Sequence, residues 1–145
     1  MRQPSERGFT VAELIAIVAV VGVLFALGIP TFVSAWRASA VRAGAEEVAT
    51  LLNGARQLAL NRNEPVCVTL GAGTVQYRPG TCVATPVTQV RLASNVIVTV
   101  PANQNVVFSY LGAAAPATIY TVTNPQDGRT LSVNVSGSGR VSIGP

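Results

Sequence analysis

From Phe9 to Ile29 the chain reads FTVAELIAIVAVVGVLFALGI, 21 residues in which only Thr10 and Glu13 are appreciably polar. Coiled as an α-helix, this stretch is about 30 Å long, the thickness of the hydrocarbon core of a bilayer. A chain of 145 residues that commits so much of its length to one spanning element has room for a single small globular unit besides. The eight residues ahead of it, MRQPSERG, carry Arg2 and Arg7, which hold that end on the cytoplasmic side by the positive-inside rule. Everything after the span is then expected outside the cytoplasm.

Two other readings compete for the same stretch. Val33-Ser34-Ala35 has the small residues of a secretory signal cleavage site, but the apolar run exceeds the roughly 7 to 15 residues of such signals and has an acid near its start. A plain uncleaved anchor fits the length. Neither accounts for Glu13, because a carboxylate within an apolar helix costs several kcal/mol unless it is paired or lies at the interface, so it marks function by default. No basic residue occurs between Phe9 and Trp36 to serve as its partner. If the chain is cut between Gly8 and Phe9, a new α-amino group appears just ahead of Glu13, and in a bundle of staggered identical helices that amine would neutralise Glu13 of a neighbour.

Gly8-Phe9-Thr10, then Glu13-Leu14, then a long aliphatic run ending in Gly28-Ile29-Pro30 resembles the class III signal of type IV prepilins and type II secretion pseudopilins. In that family a membrane-embedded prepilin peptidase cuts after the glycine and methylates the new N-terminal phenylalanine. The resemblance thus implies processing between Gly8 and Phe9 and N-methylation of Phe9. It assigns Glu13 to docking into a growing filament of other pilin or pseudopilin subunits, and Pro30 to a bend in the helix. It also implies an assembly platform and a motor ATPase that draw the subunit out of the inner membrane.

Beyond Pro30, which kinks a helix that continues past it, Val41, Gly44, Val48, Leu51, Ala55 and Leu58 recur at three- and four-residue spacing. Arg42, Glu46, Asn53 and Gln57 fall on other faces, so an amphipathic helix is expected to about Asn61, its apolar stripe lying on a sheet. From Pro65 onward the pattern becomes short runs rich in valine, threonine and isoleucine: 66–70, 74–78, 88–92, 96–100, 106–110, 119–123, 131–135 and 140–143. Turn signals fall at Pro79-Gly80 and at Asn124-Pro125-Gln126-Asp127-Gly128. The expected fold is α+β and pilin-like: a leader over residues 1–8, a transmembrane and filament-core helix over 9–30, an amphipathic continuation over 31–62, and an antiparallel β-rich periplasmic head over 63–145.

Cys67 and Cys82 bracket a stretch with the turn residues Gly71, Gly73, Pro79 and Gly80. They are either bridged, closing a loop that stabilises by about 3 kcal/mol on the chain-entropy model, or reduced and buried. Export favours the bridge. Ala55-Arg56, Ala59-Leu60 and Asn61-Arg62 before the strand Pro65-Val66-Cys67-Val68, together with Gly139-Arg140 near the end, are similar to the H-type minor pseudopilins and FimT/FimU-type minor pilins.

Catalytic chemistry finds little footing. The chain has no histidine, so a serine or cysteine nucleophile lacks its usual base and histidine-ligated metal sites are excluded. Asp127 is the only aspartate, and Glu46, Glu47 and Glu64 lie on or beside the helix, so no separated carboxylate pair suggests hydrolysis. No enzyme activity and no cofactor are expected. All ten basic residues are arginines, spread from Arg2 to Arg140, with a formal net charge of +4. Some FimT-type pilins take up DNA through arginines near the C-terminus, which would point to Arg129 and Arg140 pairing with phosphates. Ser142 stands where DNA-binding members tend to carry a further arginine. The expected function is a minor structural subunit of a type IV pilus or type II secretion pseudopilus, with DNA capture or a major-pilin role as alternatives.

Overall fold

The computed structural model describes residues 9–71, 73–92, 96–99 and 105–145. Among the described residues one α-helix, α1 (Val11–Arg62), is followed by nine strands: β1 (Val66–Gly71), β2 (Thr74–Pro79), β3 (Thr88–Arg91), β4 (Ile97–Thr99), β5 (Val106–Phe108), β6 (Ala114–Ala115), β7 (Thr118–Thr123), β8 (Thr130–Val135) and β9 (Val141–Gly144). By contact density the chain forms two compact units, one up to Trp36 and one from Arg37 to Pro145.

Helix α1 is closed at both ends by local chemistry. At its start the Thr10 backbone N–H donates to Glu13 Oε2 at 2.9 Å and the Glu13 N–H donates to Thr10 Oγ1 at 3.3 Å, a reciprocal capping box that satisfies two otherwise orphaned donors. At its end Asn63 adopts a left-handed conformation with φ of 53°, and the Glu64 N–H reaches back to the Ala59 carbonyl at 3.3 Å. This six-to-one bond is the Schellman closure, with asparagine in the place glycine usually takes. Pro30 does not end the helix, in keeping with the periodicity that resumes beyond it.

In the second unit the helix buries one stripe: Val41, Ala45, Val48, Leu52, Ala55 and Ala59. Val41, Gly44, Val48 and Ala55 are buried as the spacing expects, while Leu51 and Leu58 are only partly covered and Ala45, Leu52 and Ala59 complete the stripe. The alanines at 45, 55 and 59 are buried in this stripe beside Val48 and Leu52, which supply its bulk. Against this stripe pack Val66, Val68, Val75, Phe108, Tyr120, Val122, Val133 and Val135, all drawn from two antiparallel sheets.

The first sheet has the order β3-β2-β1-β5-β6 and the second β4-β7-β8-β9. All eight expected runs form strands, with boundaries shifted by no more than a few residues, and both expected turns connect strands. The two-residue β6, paired with β5 through Val107–Ala115 and Phe108–Ala114, has no counterpart in the pattern because two alanines carry no strand signal. Along β1 three successive residues, Val66, Cys67 and Val68, are buried. Alternation sends Val66 and Val68 into the core and Cys67 to the opposite face. There Cys67 is covered by the loop carrying Cys82, to which it is bridged with the Cα atoms 5.2 Å apart.

Tyr77, on β2, reaches the helix and donates its hydroxyl to the Leu51 carbonyl at 2.8 Å, and burial pushes its ionisation up from the ordinary value of 10.0 to about 12. Tyr120 is fully buried, also raised by burial, and its hydroxyl makes no hydrogen bond among the described residues.

Two stability predictions follow from this packing. Reducing the Cys67–Cys82 bridge in detergent-solubilised full-length protein should cost about 3 kcal/mol, read as a lower denaturation midpoint in the presence of reductant; a midpoint that does not move would mean the loop is held by other contacts. A folded-state tyrosine pKa raised above the unfolded one contributes stability that is complete below pH 10 and is lost as pH climbs towards about 12. Alkaline titration should therefore destabilise the protein across that window, and Tyr77→Phe should make the loss shallower while costing about 1 kcal/mol at neutral pH for the missing hydrogen bond.

Candidate functional site

The residues named by the sequence fall into two separate regions, one on each compact unit. On the first, every large apolar side chain from Phe9 to Phe32 is exposed, with Phe9 82% and Leu27 70% accessible. An 18-residue window of the helix has a mean hydropathy of 2.6 and no part of it is buried. Such a surface is stable only against lipid or against other apolar helices. Gly8 lies outside the described residues, so the described structure begins at Phe9.

Glu13 interrupts this apolar cylinder, and its carboxylate is held by the helix start. Besides the Thr10 N–H, the Thr10 hydroxyl donates to the same Oε2 at 3.1 Å. The helix N-terminus also carries a positive partial charge that favours an acid in the first turn. Thr10 was not singled out from the sequence, although the threonine followed three residues later by glutamate is a readable capping signature. Farther along the helix the hydroxyl of Thr31 donates to the Gly28 carbonyl at 2.8 Å, close to where Pro30 offers no N–H to the ladder.

On the second unit the structure brings together two motifs that are 83 positions apart in sequence. Arg56, from Ala55-Arg56, donates its Nε to the Gly112 carbonyl at 2.9 Å. Gly112 belongs to the tight turn between β5 and β6, closed by Gly112 N–H to Ser109 O and Ser109 N–H to Ala113 O, both at 2.8 Å. Gly139, from Gly139-Arg140, sits on the other side of the same carbonyl with φ of 75°, and a Cβ added there would collide with Gly112 O and lie 3.1 Å from Arg56 Nε. The helix, the β5–β6 turn and the β8–β9 turn thus meet at one arginine, and only glycine leaves room for it at 139.

Arg129 and Arg140 are not brought together. Arg129 precedes β8 and Arg140 follows it, so the strand separates them by about 20 Å. Arg129 pairs with Asp127 at 3.2 Å, while the Arg140 side chain is exposed and its backbone N–H bonds Ser136 Oγ at 3.2 Å. Among the described residues no cluster of histidine, cysteine or acidic side chains is arranged to hold a metal ion.

The family model for the type II transport protein GspH matches residues 44–139, about two thirds of the chain. The chain belongs to this family. The match spans Arg56, Gly112 and Gly139, the three members of the clamp. Two crystal forms of the type IV minor pilin FimU of Pseudomonas aeruginosa share its fold, each with a TM-score of 0.59, at 14% and 16% identity. The alignments cover 72% of this chain and 92% and 88% of the FimU chains. No curated protein sequence matches the chain significantly. Family and fold are those of structural pilin and pseudopilin subunits of the minor, GspH type, and the N-terminal helix is long and apolar enough to cross a membrane.

The clamp makes a differential prediction. Gly139→Ala should destabilise by more than about 2 kcal/mol, since it combines a disfavoured backbone with a collision against main-chain atoms. Gly128→Ala, also at positive φ but facing open space, should cost only about 1 kcal/mol. Chemical denaturation of the two variants beside the parent protein checks the ordering, and equal losses would refute the clamp.

Proposed function

We propose that this GspH-family subunit is made as a precursor, trimmed between Gly8 and Phe9 by a prepilin peptidase, N-methylated at Phe9, and assembled through its N-terminal helix into a type II secretion pseudopilus or type IV pilus. The observation that carries this reading is the fully exposed apolar helix with one tethered carboxylate near its start. An ordinary anchor has no use for that acid, whereas a filament subunit has.

In this reading residues 1–8 are the leader, 9–30 the transmembrane and filament-core segment, 31–62 its amphipathic continuation and 63–145 the periplasmic head. Glu13 keeps Oε2 on its own cap and offers Oε1 to the α-amino group of a neighbouring subunit, so a docked register is one in which each new amine finds an acid. Pro30 gives the helix a bend between the two environments. The inner membrane holds the subunit until a motor ATPase, working through an assembly platform, lifts it into the filament. The Cys67–Cys82 bridge suits an oxidising periplasm. The role is structural, with no catalysis and no cofactor.

The test is the mass of the mature N-terminus recovered from membranes of the native host. A chain beginning at methylated Phe9 is expected. A chain beginning after Ala35, or an intact Met1 in a cell with active prepilin peptidase, would overturn the proposal.

A further inference from the structure

The part of α1 that is free of charge extends well past the apolar run. No acidic or basic residue lies between Glu13 and Arg37, so the 23 residues from Leu14 to Trp36 form an uncharged stretch of helix. That stretch is about 34 Å long against about 30 Å for a hydrocarbon core. A span can therefore sit over 9–30 or slide about five residues towards Trp36, and the two ends of the stretch distinguish these registers. At the first end α1 begins at Val11, and Phe9 and Thr10 are not helical. Lipid offers no partner to irregular backbone, so such residues, and the N–H groups that open a helix, have to lie where water or headgroups reach them. A span over 9–30 would immerse Phe9, Thr10 and the Glu13 carboxylate in hydrocarbon. The displaced span leaves all three at the cytoplasmic headgroup level, where a carboxylate costs far less.

At the other end Phe32 and Trp36 are four residues apart and so share one helix face. They are 68% and 67% exposed, with ring centroids 6.3 Å apart. An indole is apolar over its body and polar at its N–H, which concentrates tryptophan at the headgroup level of bilayers. With the span over 9–30, Trp36 would stand about 9 Å beyond the hydrocarbon and both large rings would face water. The displaced span covers them with lipid. Thr31, just inside the layer, enters it with its hydroxyl already donated to the Gly28 carbonyl at 2.8 Å.

We propose that Phe32 and Trp36 dock at the lipid boundary of the periplasmic leaflet, the phenyl ring among the outermost acyl carbons and the indole among the headgroups. With the Thr10–Glu13 cap in the opposite headgroup layer, they hold the membrane span at about residues 15–34 instead of 9–30. The inference rests on the membrane-inserted reading above and refines where that reading puts the span. The bilayer centre then falls at Leu24 and Phe25, the latter about 16 Å along the helix from Trp36. Glu13 waits at the lipid boundary, and the Gly8–Phe9 bond, five residues farther out, lies outside the hydrocarbon where a peptidase can reach it.

Trp36 is the only tryptophan, so its fluorescence in the full-length chain, reconstituted in vesicles of phosphatidylcholine and phosphatidylglycerol, reports the register. With lipids brominated at different acyl carbons, quenching should be strongest for the bromines nearest the headgroup and weakest for those near the chain ends. Aqueous iodide should quench less than it does in the urea-denatured chain. Water-like emission with full iodide quenching, or strongest quenching by the deepest bromines, would overturn the proposal. Two further single-tryptophan chains, Phe25→Trp and Val20→Trp, each in a Trp36→Phe background, read the centre of the span. Phe25→Trp should be quenched more by the deepest bromines than Val20→Trp; equal quenching or the reverse order would restore the 9–30 span and sink the displaced one. Flotation of the same vesicles separates the two readings. A chain that does not float would sink membrane insertion together with the register, whereas a floating chain with Trp36 in water would sink the register alone.

Discussion

The head rests on the contact between one helix stripe and two sheets that meet over it. Ala45, Val48, Leu52, Ala55 and Ala59 line the seam from the helix, and Phe108 and Tyr120 close it from the sheets. The first sheet contributes Val66, Val68, Val75 and Val106, and the second Val122, Val133 and Val135. Neither sheet has a second covering layer among the described residues, so the helix is what gives each a dry face, and a sheet of four or five short strands without one would be marginal. Substituting a larger residue for one of the alanines would separate the layers and expose both sheets at once, which is why small residues hold those positions.

Much of this architecture was legible because each element obeys its own period. The strands read from alternation and β-branched residues, and the helix stripe from three- and four-residue spacing. Val41, Gly44, Val48 and Ala55 were read correctly, but the leucines at 51 and 58 outweigh the alanines at 45 and 59 in any count of apolar mass, although the alanines are the buried ones. The β6 strand was invisible for the related reason that Ala114 and Ala115 have no strand preference and are paired by the turn that precedes them. At the N-terminus the acid at 13 was conspicuous, since a charge within an apolar run has few innocent explanations. Its partner Thr10 was overlooked because a lone threonine at the start of a membrane helix looks like tolerated polarity until its hydroxyl and N–H are seen to meet Glu13.

The clamp at Arg56 shows why resemblance in the head could be noticed before it could be explained. Ala55-Arg56 and Gly139-Arg140 are short, loose motifs far apart in the chain, and nothing in either predicts the other. In space they are two sides of one contact, with the Gly112 carbonyl between them. The arginine fixes the β5–β6 turn to the helix, and the glycine lets the β8–β9 turn close over it. The dipeptide at 139–140 therefore has a structural reason to be glycine at its first position, independent of any ligand for the arginine at its second. Arg129 is paired to Asp127 at the far end of β8 from Arg140, so these two arginines are not gathered at one site.

A single helix that serves two surroundings has to keep its polar exceptions where each surrounding can tolerate them. Arg42 and Glu46 pair with each other on the water-facing side of the head portion, where an ion pair is nearly neutral in energy. Glu13 cannot be treated so lightly, because no cation lies near it in its own chain between Phe9 and Trp36. The capping box gives it two hydrogen bonds from Thr10 without a countercharge, both to Oε2. In the proposed filament a lone helix would sit at an intermediate free energy, tolerable in a bilayer and able to gain from an amine supplied by a neighbour. On that proposal the residual gain, repeated at each addition, would bias assembly towards one register among the many that an otherwise featureless apolar cylinder would allow.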